Sequence, residues 1–271
     1  MTRIYSLVFD YQIAKMQSSG RHWADSAYKN KEYIFEYSAA SIASYLEHNA
    51  HLPYDVYTDD VALLRAKLDA YDVNSENLRL IEAKDKIERW TSHWYCFWPL
   101  IQVADMHYMS DEDALKLDND LTYTKSLDEY LSILEGGKAL VWKHERLCSK
   151  GRDYWGESYA ARNGLGTDNF NIYNTGVLGV PKAFHEQARK IPFYCEKLIS
   201  VDISPVHRFP DKPGVVSKVF NTSDQVAVNY FFHEANLPVV ETHPQIIHHC
   251  YEKTKNGVLQ SASHLLKQYR K

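Results

Sequence analysis

The chain has 271 residues, 45% of them hydrophobic, and a formal net charge of −4. This composition supplies a sizeable core for one large domain or two small ones, and a weakly acidic chain without a basic block makes nucleic acid an unexpected partner. Met1 to Tyr5 enters a predicted strand directly, without the pattern of a signal peptide. Because no apolar run is long enough to form a transmembrane segment, we expect a cytoplasmic protein.

Strands and helices alternate along the first part of the chain. Ile4 to Phe9 is rich in β-branched and aromatic residues and predicts a buried strand, as do Tyr54 to Thr58 and Leu78 to Ile81. Between them, Tyr33 to Asn49 and Val61 to Tyr71 have the apolar spacing of helices. This alternation predicts an α/β fold with a mostly parallel central sheet and helices on both faces.

The rest of the chain continues the alternation, with polar interruptions. Lys143 to Asn169 and Ser18 to His22 are polar segments that we expect to act as mobile lids. Asn171 to Val180 predicts a strand with a break at Gly176, and a glycine inside a strand indicates a close approach of backbone or ligand. The other predicted elements are an aromatic core helix within Ile87 to Met109, a helix from a Ser126–Glu129 capping box to Leu134, a strand at Ala139 to Trp142, a surface helix at Phe184 to Ile199, a helix at Gln225 to Ala235 and a basic amphipathic helix at Leu259 to Lys271.

Two carboxylates, Asp118 and Asp120, follow the short apolar strand Ala114 to Leu117. Alternate residues of a strand point to the same face, so we expect the two carboxylates to lie side by side. Neighbouring carboxylates repel each other unless a cation separates them, and Mg²⁺ and Mn²⁺ bind carboxylate oxygens together with phosphate. The pattern favours a metal–diphosphate site, although Asp and Asn are also common in polar turns.

Three short motifs stand in a definite order: Leu117 to Asp120, Tyr173 to Leu178 and Ser223 to Gln225, with His248 to Cys250 near the end. This series resembles the GT-A glycosyltransferases, in particular the group that includes glycogenin and the bacterial lipopolysaccharide galactosyltransferases. The resemblance covers roughly Ile4 to Gly257. It implies a single Rossmann-like GT-A domain over residues 1–271, with a nucleotide-binding part over about 1–120 and an acceptor part over about 121–271.

The same resemblance implies a hexosyl- or pentosyltransferase that moves a sugar from a nucleotide-diphosphate donor, a UDP-sugar being favoured, to a carbohydrate or other hydroxyl acceptor in glycan biosynthesis. Asp118 would contact the donor ribose and the metal, and Asp120 would bind Mn²⁺ or Mg²⁺ directly. His248 would be the third ligand. His249 is the alternative, because the register is open by one residue.

The resemblance also implies which residues contact the transferred sugar and the acceptor. Asn174 would contact the acceptor or the sugar hydroxyls, and Asp224 and Gln225 would lie on the other face of the sugar. If the anomeric configuration inverts, Asp224 is the candidate base that deprotonates the acceptor. If it is retained, Asp224 or Gln225 would stabilise the oxocarbenium-like sugar. The late histidine favours retention by analogy.

The nucleotide contacts implied by fold position are Phe9, Asp10 and Tyr11 after the first strand and Asp60 after the second. In the family, the late histidine is usually followed by Gly and Lys-Pro-Trp, where this chain has Tyr251 to Gly257. This departure leaves the position of the phosphate-binding lysine open, and the candidates that the resemblance implies are Lys255 and Lys253.

Two other functions stay open. A sugar nucleotidyltransferase would need a Gly-rich phosphate loop after the first strand, where the chain has Asp10-Tyr11-Gln12 instead. A non-catalytic carbohydrate-binding GT-A domain is disfavoured by the presence of Asp118, Asp120, His248 and Asp224. The basic C-terminal helix suggests a peripheral membrane contact.

Overall fold

A computed structural model describes residues 1–9, 31–86, 104, 106–147, 171–194 and 223–249. The strands are β1 (Thr2–Val8), β2 (Tyr54–Thr58), β3 (Leu78–Glu82), β4 (Asp113–Leu117), β5 (Leu121–Tyr123), β6 (Ala139–Leu147), β7 (Asn171–Val180), β8 (Val239–Glu241) and β9 (Ile246–His248). The helices are α1 (Lys31–Asn49), α2 (Val61–Asp69), α3 (Asp128–Glu135), α4 (His185–Ala188) and α5 (Ser223–Glu234), and a short 3-10 helix lies at Lys182–Phe184.

Seven strands form the central sheet in the order β3-β2-β1-β4-β7-β6-β8. The pairs β1–β2, β2–β3, β1–β4 and β6–β8 are parallel, whereas β7 is antiparallel to both β4 and β6. The chain is therefore an α/β protein with a mostly parallel sheet, as the alternation of elements predicted.

The two faces of the sheet pack against different helices. Along β1, Ile4 and Val8 join an apolar cluster that includes side chains of α1, α2 and α3. Tyr5 and Leu7, which point the other way, join a second cluster that includes side chains of α4 and α5. Helices thus cover both faces, because alternate residues of each buried strand need an apolar partner on each side.

The small residues of α1 hold β5 in place. Ser41 and Ser44 are buried, and their hydroxyls accept the N–H groups of Leu121 at 3.2 Å and Tyr123 at 2.9 Å. The opposite edge of β5 pairs antiparallel with β9 in a second, two-stranded sheet. Serine side chains in the helix therefore satisfy β5 backbone groups that would otherwise be buried without a partner.

The capping-box prediction for α3 was wrong. The N-cap is Leu127 and makes no side-chain cap bond, so the helix begins later than a Ser126 cap would allow. The Ser126 hydroxyl instead donates to the Asp128 carboxylate at 2.7 Å, and Glu129 pairs with Lys125 at 3.1 Å. The helix ends at Gly136, and Gly137 takes a φ of +81°, as expected for a glycine terminus.

Two predicted boundaries also differ from the structure. The strand predicted at Ala139 to Trp142 continues to Leu147, because its polar half still pairs with β7. The helix predicted over Phe184 to Ile199 is interrupted by a turn after α4, and helical structure resumes at Ile191. Pro192 explains the interruption, since it has no N–H to bond the preceding turn.

Several predicted segments fall outside the described residues: residues 148–169 of the lid predicted over Lys143 to Asn169, the second lid at 18–22, most of the aromatic core helix, and the basic C-terminal helix at Leu259 to Lys271. The lid prediction was wrong for Lys143 to Leu147, which belong to β6. No helix in the described ranges combines the length and apolar character needed to cross a bilayer.

A buried histidine, His107, packs against the face of the sheet that carries Tyr5. The His107 ring stacks on Tyr5 with ring centroids 4.0 Å apart, and its Nε2 lies 3.2 Å from the Tyr57 hydroxyl. Burial lowers the pKa of His107 to about 4, although the nearby Asp55 carboxylate acts in the opposite direction. Protonation of this ring therefore opposes folding.

Replacing His107 by Gln should flatten the loss of stability in acid. Between pH 6.5 and about 4 the unfolded chain takes up a proton that the folded chain does not. This contribution is complete above pH 6.5 and falls by about 3 kcal/mol as the pH drops towards 4. Urea unfolding at pH 7.5 and pH 5 measures it, and His233→Gln, at an exposed position of α5, should keep the wild-type dependence. An unchanged dependence in His107→Gln would assign the acid sensitivity to other groups.

Candidate metal centre

Asp118 and Asp120 lie in the connection between β4 and β5. β4 ends before Asp118, and the chain turns at Asn119 and Asp120. The expectation that strand alternation aligns the two carboxylates was therefore wrong. They converge because the turn folds the chain back, with the Asp118 N–H donating to the Gly176 carbonyl at 2.8 Å.

Strand β9 brings a histidine to these carboxylates. Leu121 of β5 pairs with His248, whose imidazole Nε2 lies 3.0 Å from Asp120 Oδ1 and 3.3 Å from Asp118 Oδ2. One ligand atom from each of the three residues lies within 4.8 Å of the others. The imidazole is 5% exposed and the carboxylates are 13% and 27% exposed, so the group is open on its carboxylate side.

Asn174 determines which ring nitrogen of His248 faces the carboxylates. Its Oδ1 accepts the Gly176 N–H at 2.9 Å, which identifies this atom as the amide oxygen. The same oxygen lies 3.0 Å from His248 Nδ1, so Nδ1 carries a proton and donates it. In the neutral ring, Nε2 then presents its lone pair to Asp118 and Asp120. This is the tautomer that a metal-ligating imidazole needs.

The donor set fits a divalent cation. Two carboxylate oxygens and an imidazole lone pair would repel one another if nothing positive lay between them. A cation that accepts both oxygen and nitrogen ligands removes this repulsion. The arrangement can therefore hold a metal ion with one side of its coordination shell open.

Gly176 makes the position of His248 possible. A Cβ atom at this position would lie 2.3 Å from both Cε1 and Nδ1 of the imidazole and 3.0 Å from Asn174 Oδ1. The glycine therefore marks a close approach, as its place inside a predicted strand indicated. The pairing of β6 with β7 is also irregular here, with a register shift between Val141 and Lys143.

A buried lysine touches the centre from β4. The Lys116 ammonium contacts Asp118 Oδ1 and donates to the Thr175 carbonyl at 3.2 Å. Burial raises the pKa of Asp118, but the charge of Lys116 acts in the opposite direction, and the pKa of Asp118 lies below its usual value. Asp118 is therefore ionised at neutral pH.

The structure distinguishes the two neighbouring histidines. His249 is 1% exposed, and its Nε2 lies 2.7 Å from the Thr122 hydroxyl, away from the carboxylates. Its backbone N–H donates to the Asp120 carbonyl at 3.1 Å. His248, the preferred ligand of the sequence prediction, is thus the histidine beside Asp118 and Asp120.

We expect His248→Ala to weaken Mn²⁺ binding by at least about tenfold, because it removes one of three ligand atoms. His249→Ala removes a hydrogen bond to Thr122 and should lower stability by about 1 kcal/mol without changing Mn²⁺ affinity. Calorimetric titration of Mn²⁺ and urea unfolding of both variants separate the two effects. Equal Mn²⁺ affinities in wild type and His248→Ala would exclude this imidazole as a ligand.

The residues predicted to contact the nucleotide make contacts within the protein in this structure. Phe9 is fully buried in the apolar cluster that contains Tyr5. Asp60 caps α2 by accepting the Leu63 N–H at 2.9 Å and forms an ion pair with Lys31 at 2.9 Å. Contact of Phe9 and Asp60 with a nucleotide stays a prediction. Asp10, Tyr11, Lys253 and Lys255 lie outside the described residues.

Helix α5 carries the residues predicted for the sugar face. Asp224 lies in its first turn, although its side chain is not described, and Gln225 is buried. One turn on, the Asn229 amide donates to the Gln225 carbonyl at 2.7 Å and to the Tyr173 carbonyl at 2.9 Å. It also accepts the Tyr173 N–H at 2.8 Å. Because Tyr173 precedes Asn174, the start of α5 is tied to the strand segment that orients His248.

Sequence reasoning missed Lys116 and the orienting role of Asn174. A signal for Lys116 was present, since a lysine interrupts the otherwise apolar run Ala114 to Leu117, two residues before Asp118. No local signal exists for Asn174, because its contact with His248 joins residues 74 apart in the sequence.

The structure is similar to that of the galactosyltransferase LgtC in complex with donor and acceptor sugar analogues. The two are 14% identical with a TM-score of 0.51, and the match covers 99% of this chain and 96% of that one. The bifunctional glycosyltransferase WbbM, in its apo structure, is 11% identical with a TM-score of 0.51, over 100% of this chain and 44% of that one. No protein-family model and no curated protein sequence matches this chain.

These likenesses establish the fold. The chain has the fold of the GT-A glycosyltransferases, as the order of its motifs predicted. At 11% and 14% identity they establish nothing finer about donor or acceptor.

Proposed function

We propose that this chain is a metal-dependent glycosyltransferase that moves a sugar from a UDP-sugar to a hydroxyl of a carbohydrate or other acceptor. The observation that carries the proposal is the convergence of Asp118, Asp120 and the His248 Nε2 lone pair after β4 in a GT-A fold. A metal ion held there would supply the Lewis acid that neutralises a leaving diphosphate. The likeness to LgtC, whose structure holds donor and acceptor sugar analogues, supports the same reaction class.

We propose Mn²⁺ in preference to Mg²⁺. Mg²⁺ favours oxygen ligands in near-octahedral geometry, whereas one of the three donors here is an imidazole nitrogen. A first-row transition ion accepts that mixed set more readily. The buried His248 ring is held by Asn174 and cannot turn away to leave an all-oxygen site.

We assign the roles of the individual residues from their positions in the fold. Asp118, Asp120 and His248 would hold the metal, and Asp118 would also contact the donor ribose. The start of α5 would lie against the sugar, with Asp224 and Gln225 stabilising its developing positive charge. In this proposal the configuration is retained and the transferred unit is a hexose or pentose. The anomeric signal of the product, measured by NMR, decides between retention and inversion.

The site would lie where the two parts of the chain meet. Asp118 and Asp120 end the proposed nucleotide-binding part, 1–120, whereas Asn174 and His248 belong to the proposed acceptor part, 121–271. Ligands of α/β sheets bind at the carboxyl ends of the parallel strands, and β4 ends at this point.

A thermal-shift panel tests the proposed function. UDP and GDP should raise the melting temperature only when Mn²⁺ is present, and UDP should raise it more. Stabilisation by a nucleoside triphosphate with a sugar 1-phosphate, and not by UDP, would favour a nucleotidyltransferase. Stabilisation by free sugars with no response to any nucleotide would favour a carbohydrate-binding domain.

A further inference from the structure

Lys116 is a charged side chain in the middle of a buried strand. It lies on β4 between Tyr5 of β1 and Leu178 of β7, and all five residues of β4 are buried. Its side chain is 7% exposed. A buried ammonium is costly unless it is paired, and here its described partners are the Asp118 carboxylate and the Thr175 carbonyl.

The Asp118 carboxylate is divided between two neighbours. Its Oδ1 contacts Lys116, and its Oδ2 lies 3.3 Å from His248 Nε2. Lys116 therefore approaches the carboxylate from one side, while the three ligand atoms converge on the other. An ammonium has three N–H donors, and two of them are used by Asp118 and Thr175.

We propose that Lys116 is the fixed cation of the donor site, which weakens the binding of a metal ion alone and strengthens the binding of that metal together with a nucleoside diphosphate. The inference rests on the donor-site function proposed above. It places within the central sheet a positive charge for the diphosphate, a role for which the resemblance to the GT-A family implied Lys253 or Lys255 near the C-terminus.

The physical reason is the charge balance at the centre. Asp118 and Asp120 carry two negative charges and Lys116 one positive charge, so a lone divalent ion meets ligands that are already half neutralised. Repulsion between the ammonium and the ion lowers metal affinity. Once a diphosphate binds, its negative charges are attracted by both cations, and the ammonium becomes favourable. Lys116 thus makes metal and nucleotide binding depend on each other.

The test compares Lys116→Met and Lys116→Arg with the wild type. In Lys116→Met, Mn²⁺ without nucleotide should bind about tenfold more tightly, and UDP at saturating Mn²⁺ about tenfold more weakly. Lys116→Arg keeps the charge and should stay near wild type in both titrations. Lys125→Met, which removes an exposed surface lysine paired with Glu129, is the control and should change neither.

Opposite shifts for the two ligands identify a charge effect, because damage to the fold would weaken both. Unchanged affinities in Lys116→Met, or equal weakening of both ligands, would overturn the inference.

Circular dichroism establishes folding of each variant. If Lys116→Met does not fold, Lys116→Gln replaces it in the same two titrations. The wild type is then also titrated with Mn²⁺ in the presence and absence of UDP. Mn²⁺ should bind the wild type more tightly with UDP present, and equal Mn²⁺ affinities with and without UDP would contradict the inference. A wild type that binds neither Mn²⁺ nor UDP contradicts the proposed function itself.

Discussion

Asp120→Asn is expected to lower metal-dependent turnover by about 10²–10³-fold while the fold persists. The substitution removes a negative charge from an atom 3.0 Å from His248 Nε2, where a cation has to be held. It leaves the backbone intact, including the Asp120 carbonyl that accepts the His249 N–H. Steady-state rates with Mn²⁺ supplied, together with circular dichroism, measure the effect.

The matched control for that substitution is Asp128→Asn. Asp128 is an exposed aspartate that pairs with His51 at the start of α3, at 2.9 Å. Its loss should leave turnover near wild type. Near-normal rates in Asp120→Asn, or an equal loss in both variants, would remove the support for a metal held by this carboxylate.

Gly176→Ala should weaken metal binding although it removes no ligand atom. The added Cβ would lie 2.3 Å from two ring atoms of His248, so the imidazole has to move or the strand has to shift. We expect Mn²⁺ affinity to fall by at least about tenfold and stability to fall by about 1–3 kcal/mol from overpacking. Mn²⁺ titration and urea unfolding of the same preparation give both values.

Gly179→Ala provides the comparison on the same strand. A Cβ there would lie 2.8 Å from Leu140 Cβ and 3.2 Å from Leu134 Cδ1, in the apolar core rather than at the centre. It should lose stability to a similar degree and keep wild-type Mn²⁺ affinity in its folded fraction. If both glycine variants bind Mn²⁺ equally well, contact with the Gly176 backbone does not position His248.

Local patterns predicted most of the sheet. Tyr54 to Thr58 was placed with its observed bounds, because a β-branched and aromatic run between turns is typical of a buried strand. The second half of β6 was missed, since Lys143 to Leu147 has no apolar period and is a strand only through its pairing with β7. Pro192 did carry a signal for the interruption after α4, which the helical spacing of the surrounding residues outweighed.

The sequence predicted that Asp118, Asp120 and His248 lie together, but it did not predict how the fold brings them together. Asp118 and Asp120 were predicted from two carboxylates that follow an apolar strand, and His248 from the resemblance to the GT-A family; the structure brings the three together. The reason offered for the carboxylates, alternation along a strand, was wrong because the chain turns at Asn119. The contact between Asn174 and His248 depends on how β7 approaches β9, and no local spacing contains that information.

The most direct test of the proposed reaction is the release of UDP from a panel of UDP-hexoses and UDP-pentoses, with water as the acceptor, in the presence of Mn²⁺. We expect release from at least one donor, loss of that release when EDTA removes the metal, and a fall of about 10²-fold or more in Asp120→Asn. Release that persists at the wild-type rate in EDTA and in Asp120→Asn would contradict glycosyl transfer at this centre.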